Sequence, residues 1–307
     1  MKKFLPYIAI LAAMLIWAGS GIAIKSALSV IPPITLIVTR FTLSVVLMLV
    51  LGLLFRSSSL LGLQPLARRD WGLFALAGFF QPFLYYIVET YCYQSLNSPT
   101  IAEALLSTGP LLAPLLAFVF LRERVTRNNI LGILISTAGV LMLVLFGSSN
   151  FSIGNPWGIL LAFLAVLTAV LYCIILKRIP EHYSALSIIF YVQLFSLLLF
   201  YPLWGLTEAP DLPEHFADIS GADVLQAVYA VLYLVALSSL VAYILFCYTV
   251  RVLGVTLTNA FNNIRPVFTA LIMLLLYDEH MPLGKWMGII IIIAGLFVCQ
   301  YHKKYES

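Results

Sequence analysis

The feature that most constrains this chain is a series of long apolar segments that follow one another from end to end. Ten segments of about 20 mainly apolar residues can be marked, and this is the length a helix needs to cross about 30 Å of hydrocarbon. They lie approximately at Leu5–Ile24, Ile34–Phe55, Trp71–Tyr93, Thr100–Leu121, Asn129–Phe146, Trp157–Leu176, Ala185–Trp204, Val224–Val250, Thr256–Tyr277 and Leu283–Tyr301. Because a single helix satisfies all its backbone polar groups in lipid, the sequence predicts an all-α integral membrane protein with ten transmembrane helices.

The composition excludes a soluble protein. Apolar residues make up 62% of the chain and charged residues 10%, against about 45–50% and about 25% in soluble domains. The longest polar intervals, Arg56–Asp70 and about Gly205–Asp223, are too short for a fused domain, which needs roughly 50 residues. The sequence lacks a Walker loop, a zinc-protease motif and a nucleophile elbow. We therefore predict no enzyme, no cofactor, no metal and no nucleic-acid partner.

The lysines and arginines between the segments predict the orientation in the membrane. Ten spans place both termini on one face, and that face carries 13 basic residues against 2 on the opposite face. The 13 are Lys2, Lys3, Arg56, Arg68, Arg69, Arg122, Arg124, Arg127, Lys177, Arg178, Arg251, Lys303 and Lys304, and the 2 are Lys25 and Lys285. By the positive-inside rule we expect both termini in the cytoplasm and a multi-pass protein of the plasma (inner) membrane.

A single offset relates the two halves of the chain. When the second half is shifted by 156 positions, prolines, glutamates and glycines coincide. The matching pairs are Pro110 and Pro266, Glu123 and Glu279, Gly132 and Gly288, and Gly139 and Gly295. Each half holds five segments, and an odd number means that the second half enters the membrane upside down. Inverted repeats are typical of alternating-access transporters, whose substrate site lies near the midplane between the halves.

Several short motifs occur together in a characteristic order. They are Trp17-Ala-Gly-Ser-Gly-Ile-Ala-Ile-Lys25, Arg40-Phe41, Thr108-Gly-Pro110 with Pro114, Leu121-Arg-Glu123-Arg, and the two glycine pairs. Over nearly its whole length the chain resembles the EamA family of the drug/metabolite transporter superfamily. The resemblance implies two five-helix repeats, at 5–147 and 156–301, and export of amino acids or related small metabolites. The second half departs from the pattern, with Ala169 in place of Trp17 and Asn-Asn-Ile-Arg265 before its proline.

Four ionisable side chains lie inside predicted spans, namely Arg40, Glu89, Glu103 and Arg265. A charge at the centre of a spanning helix costs about 2.5–3.5 kcal/mol on insertion scales, so such side chains face a partner or a cavity. Their charges sum to zero, which leaves two interpretations. Either ion pairs tie the helices together, or at least one carboxylate binds substrate or a proton.

The fourth segment of each half carries polar side chains on one helical face ahead of a proline. In the first half the set is Glu103, Ser107, Pro110 and Pro114, and in the second half it is Asn259, Asn262, Asn263 and Pro266. Proline removes a backbone hydrogen bond, which a membrane helix tolerates only beside protein or a wet cavity. We therefore expect helix kinks at these prolines and a polar chamber between the two segments. The asparagines and Ser107 would also suit bridges between helices.

Other polar and aromatic residues add to this chamber. The third segment carries Tyr85 and Glu89 in a run of steps of four that starts at Gln81, with Tyr86 beside them. Trp17 matches the opening motif of the family and suits a gate. Glu123 and Glu279 follow the proline segments and are interpreted as anchors of helix ends, with Arg124 or Lys285 as partners.

Together these features predict a secondary transporter that exports small metabolites by alternating access around a midplane cavity. The expected substrate contacts are Glu103, Ser107, Asn259, Asn262, Asn263, Tyr85, Tyr86, Glu89 and Trp17. Charge balance or gating is assigned to Arg40, Arg265, Glu123 and Glu279. The expected partners are a small-molecule substrate, the lipid bilayer and protons as coupling ion. An uptake carrier, a lipid-handling protein and a channel-like protein stay open as alternatives.

Overall fold

The computed structural model describes residues 4–55, 62–97, 99–145, 155–212, 221–277 and 282–300, and their regular structure consists of helices. The first half contains α1 (Leu5–Ala27), α2 (Pro33–Leu54), α3 (Arg68–Ser95), α4 (Pro99–Leu106 and Gly109–Leu121) and α5 (Arg127–Leu145). The second half contains α6 (Trp157–Arg178), α7 (Ala185–Thr207), α8 (Gly221–Tyr233, Leu234–Val241 and Ala242–Leu253), α9 (Val255–Ala260, Phe261–Ile264 and Arg265–Tyr277) and α10 (Leu283–Gln300). Eight of these helices, all except α5 and α10, are long and apolar enough to span a bilayer. The all-α membrane architecture predicted from the sequence is confirmed.

The two helices that carry the predicted kinks are irregular just before their prolines. A turn at 107–108 separates the two segments of α4, and α9 tightens to a 3-10 helix over Phe261–Ile264. Pro110 and Pro266 occupy the first turn of the segment that follows, where the missing N–H costs no helical hydrogen bond. Pro114 lies inside its segment of α4.

The third helix of each half contains a wider, π-helical stretch, at Phe79–Leu84 in α3 and at Leu234–Val241 in α8. In α3 the backbone at Gln81 leaves helical geometry altogether, with φ −150° and ψ 117°. The steps of four that the sequence shows from Gln81 to Glu89 are therefore not steps along one regular helix, because the backbone is irregular at Gln81. π-helical turns are frequent at functional sites.

The last helices of the two halves pack against each other at backbone distance. Gly132 on α5 lies against Gly295 and Cys299 on α10, and Gly139 lies against Gly288. Because the residue numbers rise along one helix and fall along the other, the two helices are antiparallel. Glycine allows this approach since it has no Cβ atom between the backbones.

This contact predicts that alanine substitutions at two glycines have different effects on stability. A Cβ atom added at Gly139 would lie 2.7 Å from the backbone nitrogen of Ile292 and 2.8 Å from the carbonyl oxygen of Gly288. We expect Gly139→Ala to lower the free energy of unfolding by about 1–3 kcal/mol, because the helices must separate. Gly72→Ala is the control, since its Cβ would meet nothing within 4 Å and alanine favours a helix. Unfolding of the purified protein in detergent measures both, and equal stabilities would contradict the contact.

Polar links join several loops at one end of the molecule. Tyr183 donates a 2.7 Å hydrogen bond to Asp70, and Arg251 donates one of 2.9 Å to the carbonyl oxygen of Tyr183. Arg178 donates a 2.7 Å bond to the carbonyl oxygen of Phe120. The loops around these residues carry most of the basic side chains assigned to the cytoplasmic face. They therefore share one end, which we call the basic end.

A lysine at the end of the first helix of each half binds the end of the third helix. Lys25 on α1 donates to the carbonyl oxygen of Leu96, which directly follows α3. Lys177 on α6 donates to the carbonyl oxygens of Val250 and Arg251 on α8, at 3.3 and 2.7 Å. An ammonium group at a helix C-terminus stabilises the free carbonyl groups there. The first contact lies opposite the basic end, because α3 starts at that end and runs away from it for 28 residues.

Candidate functional site

A small polar cavity lies between the two halves of the chain. The first half contributes Trp17, Ser20, Gln81, Tyr85, Tyr86, Glu89, Leu106 and Gly109 to its wall, and the second half contributes Val166, Ala169, Val170, Cys173, Tyr243, Phe246, Asn259, Asn262 and Arg265. The cavity volume is about 40 Å³. A buried water molecule needs about 10–15 Å³ on this measure, so the cavity has room for about three waters.

The strongest electrostatic contact beside the cavity is an ion pair between the fourth helices of the two halves. Arg265 on α9 holds the carboxylate of Glu103 on α4, with Nη2 2.9 Å from Oε2 and 3.1 Å from Oε1. Tyr93 on α3 donates a further hydrogen bond to Oε1 of Glu103. Glu103 has no exposed surface and is not on the cavity wall, whereas Arg265 is. The contact is an ion pair that ties two helices together, as one of the two interpretations of the intramembrane charges requires.

Glu89 is the carboxylate that reaches the cavity wall. Its Oε1 accepts a 2.7 Å hydrogen bond from the Tyr85 hydroxyl, and only 4% of the residue is exposed. Its second oxygen, Oε2, has no hydrogen-bond partner among the residues that the structure describes. The same holds, within those residues, for Nε of Arg265. Glu89 and Arg265 both line the cavity, and each has one buried polar atom whose bonding capacity is not used by the described residues.

Arg40 lies behind the wall and organises it. Its guanidinium donates to Ser239 at 2.7 Å, to Ser238 at 2.8 Å and to the hydroxyl of Tyr86 at 3.2 Å. It also lies over the Tyr86 ring, 4.5 Å from the centroid, which suits a cation–π contact. Within the described part of the chain no carboxylate pairs with Arg40, so the second ion pair that the sequence permitted is not formed there.

A chain of hydroxyl and amide groups extends this network along the two π-helical stretches. The Tyr86 and Tyr243 hydroxyls are 2.9 Å apart, and Gln81 donates to the Tyr243 hydroxyl at 2.7 Å. Because buried polar groups need partners, these bonds hold α3 and α8 in one relative position. The network thus joins the third helices of the two halves across the cavity.

The asparagines of α9 separate into two groups. Asn259 and Asn262 line the cavity and are joined by a 3.1 Å hydrogen bond from Nδ2 of Asn262 to Oδ1 of Asn259. Asn263 turns away, donates to the Ser136 hydroxyl on α5 at 2.6 Å and is absent from the cavity wall. Ser107 is absent from it too, because its hydroxyl donates to the carbonyl oxygen of Ala104 in the preceding turn. Asn263 thus joins two helices, α9 and α5, whereas the bond of Ser107 stays within α4.

Trp17 forms an aromatic side of the cavity. Its Nε1 donates a 3.3 Å hydrogen bond to the carbonyl oxygen of Ser238, and its ring packs edge-on against Tyr243 with centroids 5.2 Å apart. The Arg265 guanidinium lies 5.8 Å from the indole centroid. Ala169, which stands where the internal repeat would place a second tryptophan, also lines the cavity. The small side chain of Ala169 fills less of this space than a tryptophan would.

The family model described as the EamA-like transporter family matches this chain twice, over residues 4–145 and 156–300. The chain belongs to this family. The resemblance read from the motifs is therefore confirmed, and this EamA-like chain is a multi-pass membrane transporter rather than an enzyme. Among the described residues, no group of three or more His, Cys, Asp or Glu side chains could hold a metal ion.

Relatives with transporter names cover almost the whole length of this EamA-like chain. A Bacillus subtilis protein named "Uncharacterized transporter YetK" is 29% identical over 306 residues, which is 99% of this chain and 89% of the relative. An Archaeoglobus fulgidus protein named "Uncharacterized transporter" is 23% identical over 97% of this chain and 98% of its own. A solved crystal structure with 18% identity has the same fold, with a TM-score of 0.69 over 96% of this chain and 97% of that one.

Glu123 anchors a helix end, though not through the basic partners considered for it. Its two carboxylate oxygens accept the backbone N–H groups of Val255 at 3.2 Å and Thr256 at 3.1 Å, at the start of α9. Gly254 precedes them with φ +83°, and a Cβ atom there would lie 2.8 Å from Oε1 of Glu123. The carboxylate thus ties the end of α4 to the start of its counterpart helix. Glu279 lies outside the described residues.

Several wall residues carried no signal in the sequence. Leu106, Val166, Val170 and Phe246 are apolar like nearly every position in a spanning segment, so nothing distinguishes a side chain that faces the cavity from one that faces lipid. The π-helical stretches lie beside the site along α3 and α8, but no pattern in the sequence identifies them.

Proposed function

We propose that this transporter exports small zwitterionic metabolites, such as amino acids or related compounds, across the plasma membrane. The observation that carries the proposal is that an anionic and a cationic residue, Glu89 and Arg265, line one cavity, each with a buried polar atom that no described residue bonds. A carboxylate matches a substrate ammonium group, and a guanidinium matches a substrate carboxylate. The amide groups of Asn259 and Asn262 lie on the same wall and add neutral donors and acceptors. Export is the direction that the resemblance to the family implies.

We propose further that the two halves are inverted repeats, at 5–147 and 156–301. The lysine contact that joins the first helix to the third occurs once in each half and at opposite ends of the molecule. Equivalent contacts at opposite ends are what a two-fold axis in the membrane plane produces. The antiparallel packing of α5 and α10 supports the same relation, because these are the fifth helices of their halves. With the basic end in the cytoplasm, the cavity then opens alternately toward the two faces.

The small volume of the cavity supports a mechanism in which helices move to admit the substrate. Space for about three waters is too little for an amino acid, so helices must separate to admit it. We assign this movement to the irregular stretches that border the cavity, namely the turn at 107–108, the 3-10 turn of α9 and the π-helical stretches of α3 and α8. Few regular backbone hydrogen bonds need to break there. Uphill transport requires an ion gradient, and Glu89 is the cavity carboxylate that can carry a proton.

The proposal is tested by filling the cavity at Ala169. We expect Ala169→Trp to abolish export, because an indole and a substrate cannot share this space, while the protein still inserts into the membrane. The Ala169→Ser variant changes the side chain by one hydroxyl and is the matched control. Metabolite profiles of cells and medium are compared between strains that produce the wild type and each variant at equal membrane levels.

The outcomes separate the alternatives. A compound that accumulates in the medium with the wild type and Ala169→Ser, but not with Ala169→Trp, supports export through this cavity. Accumulation inside the cells would instead assign an uptake carrier. Unchanged export by Ala169→Trp would remove the cavity from the transport path.

A further inference from the structure

A groove much larger than the polar cavity lies on the outer, lipid-facing surface, between the second segment of α4 and α5. It has a volume of about 740 Å³, which is within the range of about 300–1,000 Å³ for ligand sites. Its wall includes Leu115 and Phe118 on α4, Leu134 on α5, and Arg124 in the loop between the two helices. We call it the α4–α5 groove.

The packing of α5 explains why this groove exists. α5 uses its glycine face, with Gly132 and Gly139, to contact α10 at backbone distance. Between α5 and the second segment of α4, by contrast, large side chains stay uncovered. Leu115 is 60% exposed, Phe118 is 64% exposed and Leu134 is 54% exposed. In the bilayer these side chains contact acyl chains.

The loop at the end of the groove presents an excess of positive charge. Arg122, Arg124 and Arg127 are all exposed, and the one acidic residue among them, Glu123, turns inward to the amide groups at the start of α9. The Glu123 carboxylate is therefore bonded elsewhere and does not pair with these arginines. Arg124 is exposed and also lines the groove, so it is the arginine nearest to a head group bound there.

We propose that the α4–α5 groove binds one anionic phospholipid of the cytoplasmic leaflet. The phosphate is held by Arg124, and an acyl chain runs between Phe118 on α4 and Leu134 on α5. Basic pockets between spanning helices on the cytoplasmic side are suited to anionic head groups, and the loop belongs to the basic end. The site is separate from the transport cavity, because α4 places Leu106 and Gly109 on the cavity and Pro110 and Leu111 on the groove.

The test is native mass spectrometry of the purified full-length protein in detergent with added lipid. Dioleoyl phosphatidylglycerol is the anionic probe, and dioleoyl phosphatidylcholine has the same chains without net charge. We expect the wild type to retain one phosphatidylglycerol in preference to phosphatidylcholine. Arg124→Gln should lower this preference about fivefold, which is the effect of one basic side chain near a membrane surface. Arg68→Gln removes an exposed arginine at the same end and should leave the preference unchanged.

A second pair of variants tests the acyl chain. Leu134→Trp fills the groove and should reduce retention of both lipids, whereas Leu141→Trp changes an equally lipid-exposed leucine on the same helix outside the groove and should have no effect. Equal preferences in Arg124→Gln and Arg68→Gln would overturn the proposal. So would full retention by Leu134→Trp, or displacement of the lipid by glycerol phosphate, which would identify a site for a free phosphate compound.

Discussion

The free energy of unfolding of the Glu103→Gln variant is expected to be about 3–5 kcal/mol lower than that of the wild type, because the substitution leaves a guanidinium buried without its counter-charge. Glu103 has no exposed surface, and its Oε2 lies 2.9 Å from Nη2 of Arg265. Glutamine keeps the shape and one acceptor oxygen, so the loss reports on the charge rather than on packing. Thermal or denaturant unfolding of the purified protein in detergent measures it.

Two further variants isolate the charge effect. Glu181→Gln makes the same chemical change on an exposed residue and should leave stability unchanged. The double variant of Glu103→Gln with Arg265→Gln should recover much of the loss, since neither charge then stays buried alone. A Glu103→Gln protein that is as stable as the wild type but does not transport would contradict the structural role and place Glu103 in contact with substrate, as the sequence analysis expected.

The Glu89→Gln variant is expected to bind substrate about 10–150 times more weakly, the equivalent of one hydrogen bond to a charged group, about 1.5–3 kcal/mol. Glutamine can still accept the hydrogen bond from Tyr85, so the fold should be preserved. The measurement is exchange of labelled substrate across proteoliposomes without an ion gradient, which requires binding but no coupling ion. The substrate is the compound identified by the metabolite comparison.

A matched variant and a second condition separate binding from coupling. Tyr85→Phe removes the hydroxyl that orients Glu89 but keeps the carboxylate, so exchange should fall less than in Glu89→Gln. If Glu89→Gln exchanges substrate like the wild type but no longer accumulates it under a proton gradient, Glu89 carries the proton and does not bind the substrate. Unchanged exchange and unchanged accumulation would remove Glu89 from the mechanism.

Six of the nine residues that the sequence predicts as substrate contacts, together with Arg265, lie around one cavity. Trp17, Tyr85, Tyr86, Glu89, Asn259, Asn262 and Arg265 line it. Trp17 could be found from the opening motif of the family, and the others because polar and ionisable groups inside a membrane span need a partner or a wet surface. Polarity alone does not distinguish a protein partner from a wet surface. The sequence therefore predicts Glu103, Ser107 and Asn263 as substrate contacts, although the structure pairs them within the protein.

The sequence by itself determined the membrane architecture, the helix order and the family, because segment length, apolar composition and motif order are properties of the linear chain. The tertiary structure alone decided that Glu103 pairs with Arg265 across 162 positions and that Gln81 leaves the helical register to meet Tyr243. It also decided that Glu123 turns to α9 and leaves its neighbouring arginines unneutralised. Such choices depend on which side chain of a distant helix comes within about 3 Å, a distance that only the packed helices define.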